Sequence, residues 1–259
     1  MNYRRIRNAN ALLGPDDPPV VNVCGPVAGS APFVLLGDHA GDAIPRGLEN
    51  LGLSAAERAR HIALDIGSFA LGRELSQRLE APFVSQAYSR LVIDCNRSPS
   101  RADAIAPVSD GTVIPGNQWL DDAGRAARID EVHEAYHSAI ADLLDKRAGR
   151  SRRDVVVSVH SFTPVFGGQA RPWQIGVLHD GNAYSRRIMA GLRELGHYEI
   201  GDNEPYRFDD TDYTIPRHAL ARGMDWVELE IRQDMLASPD NIETMAAMLT
   251  NVLADALPR

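Results

Sequence analysis

The stretch Val155-Val156-Val157-Ser158-Val159-His160-Ser161 decides the fold of this chain. A short run of β-branched residues is typical of a strand that is buried in a sheet. The apolar run ends at His160, and turn-forming residues follow as far as Pro164. A second stretch has the same design, because Phe33–Gly37 is apolar and is followed by Asp38-His39. Two buried strands are therefore predicted to deliver one histidine each at their carboxyl ends.

Histidines at these strand ends predict a metal site. In open α/β sheets, ligands bind at the edge formed by the carboxyl ends of the strands. A catalytic zinc usually has three protein ligands, drawn from histidine, cysteine and carboxylate side chains. We therefore expect His39 and His160 to bind a metal ion together with a carboxylate. Of the two candidate acids, Asp42 is nearer to His39 in the sequence and Asp65 is the alternative, and the residues alone leave this choice open.

Strand-like and helix-like segments alternate along the chain, which predicts the fold class. Strands are predicted over 20–24, 32–37, 82–87, 91–95, 154–159, 173–178 and 225–231, and helices over 64–79, 120–146, 183–195 and 239–257. The alternation predicts an α/β fold, a single-domain three-layer sandwich in which helices flank a mixed, mostly parallel sheet. Residues 1–18 are expected to form an extended arm, and 19–259 one domain. The polar segment 96–118 is predicted to be a long loop that could close as a lid.

Composition narrows the classes of partner. The chain has 27 Lys and Arg against 35 Asp and Glu, a net charge of −8, which argues against nucleic acid as a partner. It does not argue against a small anionic substrate. No segment has roughly 18 uninterrupted apolar residues, so no membrane span is expected. Two cysteines, Cys24 and Cys95, are too few for a disulfide framework, and we expect a cytoplasmic protein with reduced thiols.

A second metal motif lies within the predicted helix 120–146. His133-Glu134-Ala135-Tyr136-His137 matches H-E-x-x-H, which can hold zinc on one helical face. The apolar stripe of this helix runs beside both histidines, so they are expected to pack as structural residues. No convincing third ligand follows downstream. We therefore expect the metal at His39 and His160 instead.

Charged residues mark two further segments. Glu228, Glu230 and Arg232 alternate along an apolar strand, so they are expected to share one face. Charges on such a face must pair, meet water or line a site, and Glu230 is the predicted general base. Arg90 and Arg97 bracket the segment 91–95, and guanidinium groups bind carboxylates with two parallel hydrogen bonds. This pair is therefore predicted to bind an acidic substrate.

Taken together, several segments resemble the N-formylglutamate amidohydrolase family. The resemblance runs from about Val34 to Asp234, and its segments are 38–41, 44–45, 61–67, 88–97, 109–117, 136–137, 160–166, 201–206, 212–214 and 230–234. These zinc hydrolases are distantly similar in fold to zinc carboxypeptidases and aspartoacylase. The chain departs from the carboxypeptidase-type His-x-x-Glu pattern, because Asp42 stands where that pattern has glutamate.

The resemblance implies roles for particular residues. It supports His39 and His160 as ligands of one zinc ion per chain, and Glu230 as the catalytic glutamate. It implies that Arg90 clamps a carbonyl or carboxylate group and that Asn96 and Arg97 grip the substrate carboxylate. Four further residues are expected to contact the substrate: Ser161, Asn203, Tyr213 and Arg232.

The resemblance also implies a reaction. The enzyme would hydrolyse the amide of an N-formyl or N-acyl acidic amino acid, converting N-formylglutamate and water to formate and glutamate. Such a reaction belongs to histidine degradation, and a homo-oligomer is compatible with it. Two alternatives stay open, namely a hydrolase of another N-acyl amino acid or small peptide, and a non-catalytic binding protein on the same scaffold.

Overall fold

The central layer of the molecule is a seven-stranded sheet, seen in a computed structural model that describes residues 11–149 and 153–258. The strands in chain order are β1 (Val21–Cys24), β2 (Phe33–Gly37), β3 (Phe83–Gln86), β4 (Val108–Ser109), β5 (Thr112–Val113), β6 (Val155–Phe162), β7 (Val165–Phe166), β8 (Gln169–Ala170), β9 (Ile175–Leu178), β10 (Ile200–Asp202) and β11 (Trp226–Arg232). The sheet has the order β1-β3-β2-β6-β11-β9-β10, and β4-β5 and β7-β8 form two small hairpins outside it. Strands β3, β2, β6 and β11 run parallel, and β11 pairs antiparallel with β9.

Helices cover both faces of the sheet. They are α1 (Ala55–Arg58), α2 (Ser68–Arg78), α3 (Asp122–Arg128), α4 (Glu134–Arg147), α5 (Ala183–Leu195), α6 (Thr214–His218) and α7 (Pro239–Asp255). A π-helical turn, Ile129–His133, joins α3 to α4. The structure confirms the predicted α/β class and its mixed, mostly parallel sheet. No helix in the described part of the chain is long and apolar enough to cross a membrane.

Strand alternation sorts the core into two layers. In β2, Phe33 and Leu35 pack into a cluster formed with α2, α5 and α7, whereas Val34 and Leu36 pack against α4 and α6. The α4-facing row of β6 begins with Val156 and continues with polar residues to His160. The corresponding row of β11 begins with Trp226 and continues with two glutamates. One face of the sheet is therefore apolar at the amino ends of these strands and polar at their carboxyl ends.

Some sequence predictions were wrong in detail. Residues 91–95, predicted to form a strand, form turns, although Leu91, Val92 and Ile93 are buried in a third apolar cluster. Their hydrophobicity reflects packing under a loop rather than pairing in a sheet. The helix predicted over 64–79 begins later, at Ser68. The loop 96–118 contains two 3₁₀ turns and the β4-β5 hairpin, and residues 1–10 of the predicted arm lie outside the described residues.

A buried arginine fastens α4 to the amino end of the sheet. Arg147, which is 3% exposed, donates from Nε and Nη2 to the two carboxylate oxygens of Asp154, each at 2.8 Å. It also donates to the backbone carbonyls of Val27 and Ala31, at 2.9 and 2.6 Å. The guanidinium thus orders the chain on both sides of β2 and β6, the two strands that lead to the histidines.

Replacing Arg147 with methionine tests this role. The variant removes the guanidinium that a buried carboxylate and several buried carbonyls share, so we expect a loss of roughly 3–5 kcal/mol in unfolding free energy. Urea denaturation measures the loss. Arg193→Met, which removes an exposed ion pair with Asp202, serves as the control and is expected to cost less than about 1 kcal/mol. Equal stabilities for the two variants would contradict this role for Arg147.

Candidate active site

The carboxyl edge of the sheet brings two histidines together. His39 follows β2 and His160 is near the end of β6, and their ring centroids are 5.0 Å apart. Both side chains are buried, at 4% and 2% exposure. The pairing predicted from the two strand ends is therefore present in the structure.

Asp65 is the carboxylate between them. Its Oδ2 lies 2.9 Å from Nδ1 of His160 and 3.5 Å from Nδ1 of His39, and it also accepts from the backbone N–H of Ser161. The backbone holds Asp65 in place, since its N–H donates to the carbonyl of His39 at 2.9 Å. Gly67 then turns the chain into α2 with a φ of 86°, and a Cβ there would lie 2.6 Å from Cβ of Leu236.

These three side chains fit a metal ion. Ligand atoms of His39, Asp65 and His160 all lie within 4.8 Å of one another. Tetrahedral zinc with bonds of about 2.0–2.1 Å places its ligand atoms roughly 3.3 Å apart, close to the distances around Asp65 Oδ2. Nδ1 of His39 is also buried without a hydrogen-bond partner. Asp42 is exposed and outside this group, so the geometry favours Asp65 over Asp42 as the third ligand.

The outer nitrogens of both histidine rings have polar neighbours. His39 Nε2 lies 2.7 Å from Oδ1 of Asp94, and His160 Nε2 lies 2.9 Å from the hydroxyl oxygen of Ser158, with Oδ2 of Asp38 3.5 Å away. Tyr136 donates its hydroxyl to the other oxygen of Asp38 at 2.8 Å. Carboxylates that accept from the outer nitrogen of a metal-binding histidine fix its tautomer and strengthen its binding. Both rings are thus held with Nδ1 directed toward Asp65.

The pKa shifts show that this site stabilises positive charge. Burial and Arg90 oppose protonation of His39, but Asp94 and Asp65 outweigh them and raise its pKa. Burial likewise opposes protonation of His160, but Glu228, Asp38 and Asp65 raise its pKa well above the ordinary value. Such surroundings suit a bound divalent cation, whose binding would displace the protons.

Arg90 and two glutamates complete the centre. Arg90 donates from Nη2 and Nε to Oδ2 of Asp94, at 2.6 and 3.1 Å, and its Nη1 lies 3.4 Å from Oδ1 of Asp65. Glu230 stands opposite His160 in the parallel register of β11 and β6, and Glu228 stands opposite Ser158. Burial raises the pKa of both glutamates. Each has a buried Oε2 without a hydrogen-bond partner.

Two adjoining cavities, of about 250 and 240 Å³, flank this centre. Arg90, Arg97, Tyr206 and Glu230 line both cavities. The first also has aromatic walls from Phe162 and Phe166, and Ser161 and Asp65 line it. The second contains both histidines, Glu228, Asn96 and the segment around Asp212.

The predicted substrate residues do not all reach these cavities. Ser161 and Arg97 do, and Asn96 does so while its Oδ1 accepts from the backbone N–H groups of Tyr213 and Thr214. Asn203, Tyr213 and Arg232 line neither cavity. All three have structural partners instead.

The interactions of these three side chains explain why they do not reach the cavities. Asn203 holds the turn after β10 through the backbone N–H of His179 and of Phe208. The Tyr213 hydroxyl accepts from Arg217. Arg232, although it follows the glutamates in the alternating row, ends its strand by pairing with Asp234. Sequence alternation indicates the face of a side chain but not the direction of a long side chain at a strand end.

The sequence reasoning missed several residues at the site. Asp38 and Asp94 were not predicted to orient the histidines, and Tyr206 was not assigned to the cavity wall. Asp38 precedes His39 and Tyr206 lies in one of the family-like segments, so signals for both were present. Asp94 also lies in a family-like segment, 88–97, but residues 91–95 were interpreted as a strand and Asp94 was given no role.

The H-E-x-x-H segment has a structural role. His133 Nε2 lies 3.0 Å from the carbonyl of Arg97, and His137 Nε2 lies 2.9 Å from the carbonyl of Cys95. Glu134 pairs with Arg217. Neither histidine belongs to a metal-ligand group among residues 11–149 and 153–258. The segment supports the loop that carries Asn96 and Arg97.

Comparisons with known proteins identify the family of this chain. The family match places it among hydrolases that act on amide bonds. The model of the N-formylglutamate amidohydrolase family matches residues 31–237, and the chain belongs to this family. A crystal structure of a gene product from Agrobacterium tumefaciens is 34% identical, with a TM-score of 0.90 over 95% of this chain and 97% of the other.

A more distant structure shares the fold. N-formylglutamate amidohydrolase from Ralstonia eutropha is 19% identical, with a TM-score of 0.66 over 92% of this chain and 97% of that one. No curated protein matches the sequence.

A pair of buried histidines, His137 and His218, predicts that acid destabilises the fold. His137 Nδ1 lies 2.9 Å from Nε2 of His218, and the rings are stacked. Burial lowers the pKa of His137 to about 3 and that of His218 to about 4. In the unfolded chain the two histidines bind protons near pH 6.5, so the stability contributed by the neutral pair is fully present above that pH. It is lost as the pH falls toward 4.

His218→Gln tests this dependence, since a glutamine amide can still donate to His137 but does not titrate. Between pH 6 and 4.5 we expect the unfolding free energy of the variant to fall less steeply, by up to about 1.4 kcal/mol per pH unit. Urea denaturation at several pH values measures the slope. Parallel slopes for both proteins would show that His218 is not held neutral.

Proposed function

We propose that the chain is a metal-dependent hydrolase of the amide bond in N-formyl or N-acyl acidic amino acids, with N-formylglutamate as substrate and formate and glutamate as products. The observation that carries the proposal is the group formed by Nδ1 of His39, Nδ1 of His160 and Oδ2 of Asp65, beside a permanently charged arginine and a buried glutamate. The family membership supports the choice of a formyl amide.

His39, His160 and Asp65 would hold the metal, and zinc suits two imidazoles and one carboxylate. When bound, a zinc ion supplies Lewis acidity and favours deprotonation of water. Asp94 and Ser158 hold the outer nitrogens of His39 and His160 and so keep both imidazoles in the orientation that this binding needs. Asp42 has no part in the proposed site.

Glu230 is the proposed general base. It lines both cavities, and its free Oε2 can accept the proton of the attacking water. The hydroxide forms a bond to the acyl carbon, the C–N bond breaks, and Glu230 returns the proton to the leaving nitrogen. A carboxyl group whose pKa is raised by burial is suited to both halves of this transfer.

Arg90 is the proposed stabiliser of charge on the acyl oxygen. Its ion pairs with Asp94 and Asp65 fix the guanidinium, and Asp94 helps to raise its pKa although burial opposes this. A fixed, permanent cation stabilises negative charge as it develops and needs no rearrangement. Arg97, which lines both cavities, is the proposed anchor for the α-carboxylate. Cytoplasmic location, a homo-oligomer and a place in histidine degradation stay predictions.

Substitution of the two aspartates tests the metal site. Asp65→Asn is expected to weaken zinc binding by more than the roughly 10–100-fold that loss of an outer-shell partner costs. Asp42→Asn is the matched control and is expected to leave affinity unchanged. Titration of metal-free protein with zinc, followed by elemental analysis, measures both. Loss of zinc in Asp42→Asn with retention in Asp65→Asn would reverse the assignment.

Glu230→Gln separates catalysis from metal binding. We expect kcat for N-formylglutamate to fall by about 10²–10⁴-fold, because the amide cannot accept the proton of water. The zinc content is expected to equal that of the wild type. Formate release measures the rate, and full activity in this variant would disprove the role of Glu230.

A further inference from the structure

Arg171 is held against the aromatic wall of the first cavity. It directly follows the β7-β8 hairpin, and its guanidinium carbon lies 4.7 Å from the ring centroids of both Phe166 and Tyr206. Phe162 is 5.8 Å away. Nη1 donates to the Tyr206 hydroxyl at 2.9 Å. All three rings line the cavity, and Arg171, which does not line it itself, is held against them.

Other arginines around this cavity have acidic partners. Arg60 pairs with Asp110, Arg90 with Asp94 and Asp65, and Arg97 lies 3.7 Å from Asp103. Among the residues that the structure describes, no carboxylate forms an ion pair with Arg171.

A guanidinium that is fixed by rings but lacks a counter-ion is well suited to bind a carboxylate. Its charge also acts inside the cavity. Arg171 is one of the groups that oppose the rise in the pKa of Glu230 caused by burial.

The order of groups in the substrate indicates which carboxylate Arg171 would meet. The α-carbon is bonded to the nitrogen of the broken amide, so the α-carboxylate stays near the centre, where Arg90 and Arg97 line both cavities. A carboxylate at the end of the side chain reaches farther from the centre. Arg171 lines neither cavity itself, but it contacts Phe162 and Phe166, which line the first cavity only, and Tyr206, which lines both.

We propose that Arg171 is a specificity-determining residue that binds the side-chain carboxylate of the substrate. This inference rests on the proposed amidohydrolase function. In this proposal, the residue that selects an acidic amino acid lies in the segment after the β7-β8 hairpin. The residues that hold the metal and transfer protons lie elsewhere in the chain.

Arg171→Met tests the proposal with two substrates of nearly equal shape, N-formyl-L-glutamate and N-formyl-L-glutamine. The wild type is expected to prefer the glutamate substrate. In the variant, kcat/KM for that substrate is expected to fall by about 10- to 100-fold, the effect of losing a charged hydrogen bond. The value for the glutamine substrate is expected to fall much less, because only the influence of the Arg171 charge on Glu230 is lost there. Arg171→Lys is expected to restore part of the preference.

Arg73→Met is the matched control, because Arg73 also lies over a ring, 5.9 Å from the centroid of Phe69, but that ring, unlike the rings beside Arg171, lines neither cavity of the site. It is expected to retain wild-type selectivity. Equal losses on both substrates in Arg171→Met would mean that Arg171 only supports the fold, and that outcome overturns the proposal. An unchanged preference for glutamate in Arg171→Met overturns it as well.

Calorimetry of the binding of free amino acids tests the role of Arg171 independently of the proposed reaction. The zinc-loaded wild type is expected to bind L-glutamate more tightly than L-glutamine, and Arg171→Met is expected to bind them equally. If no N-acyl amino acid is hydrolysed but this binding difference is found, the proposed reaction fails and the role of Arg171 stands. If hydrolysis occurs and the variant still prefers L-glutamate, the role of Arg171 fails alone.

Discussion

One carboxylate oxygen, Oδ2 of Asp65, ties the active site together. It lies within 3.5 Å of both histidine rings and accepts from the backbone of Ser161, so it joins β2, β6 and the turn before α2. Burial would raise the pKa of Asp65, but His39 and His160 lower it instead. The acid is therefore ionised at neutral pH. A buried anion of this kind must be matched by positive charge, which here comes from imidazolium groups, from Arg90 or from a bound cation.

The sheet makes this arrangement possible because one of its faces is apolar at the amino ends of the strands and polar at their carboxyl ends. The parallel register places Glu230 beside His160 and Glu228 beside Ser158, on the face where Val156 and Trp226 form apolar core closer to the amino ends. The apolar half provides the burial that stabilises the fold. The polar half of the same strands carries His160, Glu228 and Glu230, so the sheet fixes the positions of these three side chains.

The sequence was most informative where a pattern repeats over a whole element. The valine-rich strand, the long helices and both strand-end histidines follow from periodicity and from the sharp change at His160. The choice between Asp42 and Asp65 required tertiary structure, because a turn and a glycine with positive φ bring Asp65 to the histidines although 25 residues separate it from His39 in the sequence. Leu91–Cys95 looked like a strand because burial under a loop selects the same residue types as burial in a sheet.

The β7-β8 hairpin has a consequence for how this protein can diversify. It leaves the sheet after Phe162 and carries Phe166, whereas none of the three residues around Asp65 Oδ2 lies on it. Gly167 and Gly168 at its tip have open space around them. Insertions or exchanges in this hairpin would alter the shape of the first cavity while the histidines, Asp65 and Glu230 keep their places. New substrate ranges can therefore arise by changes in one short segment, with the hydrolytic chemistry inherited intact.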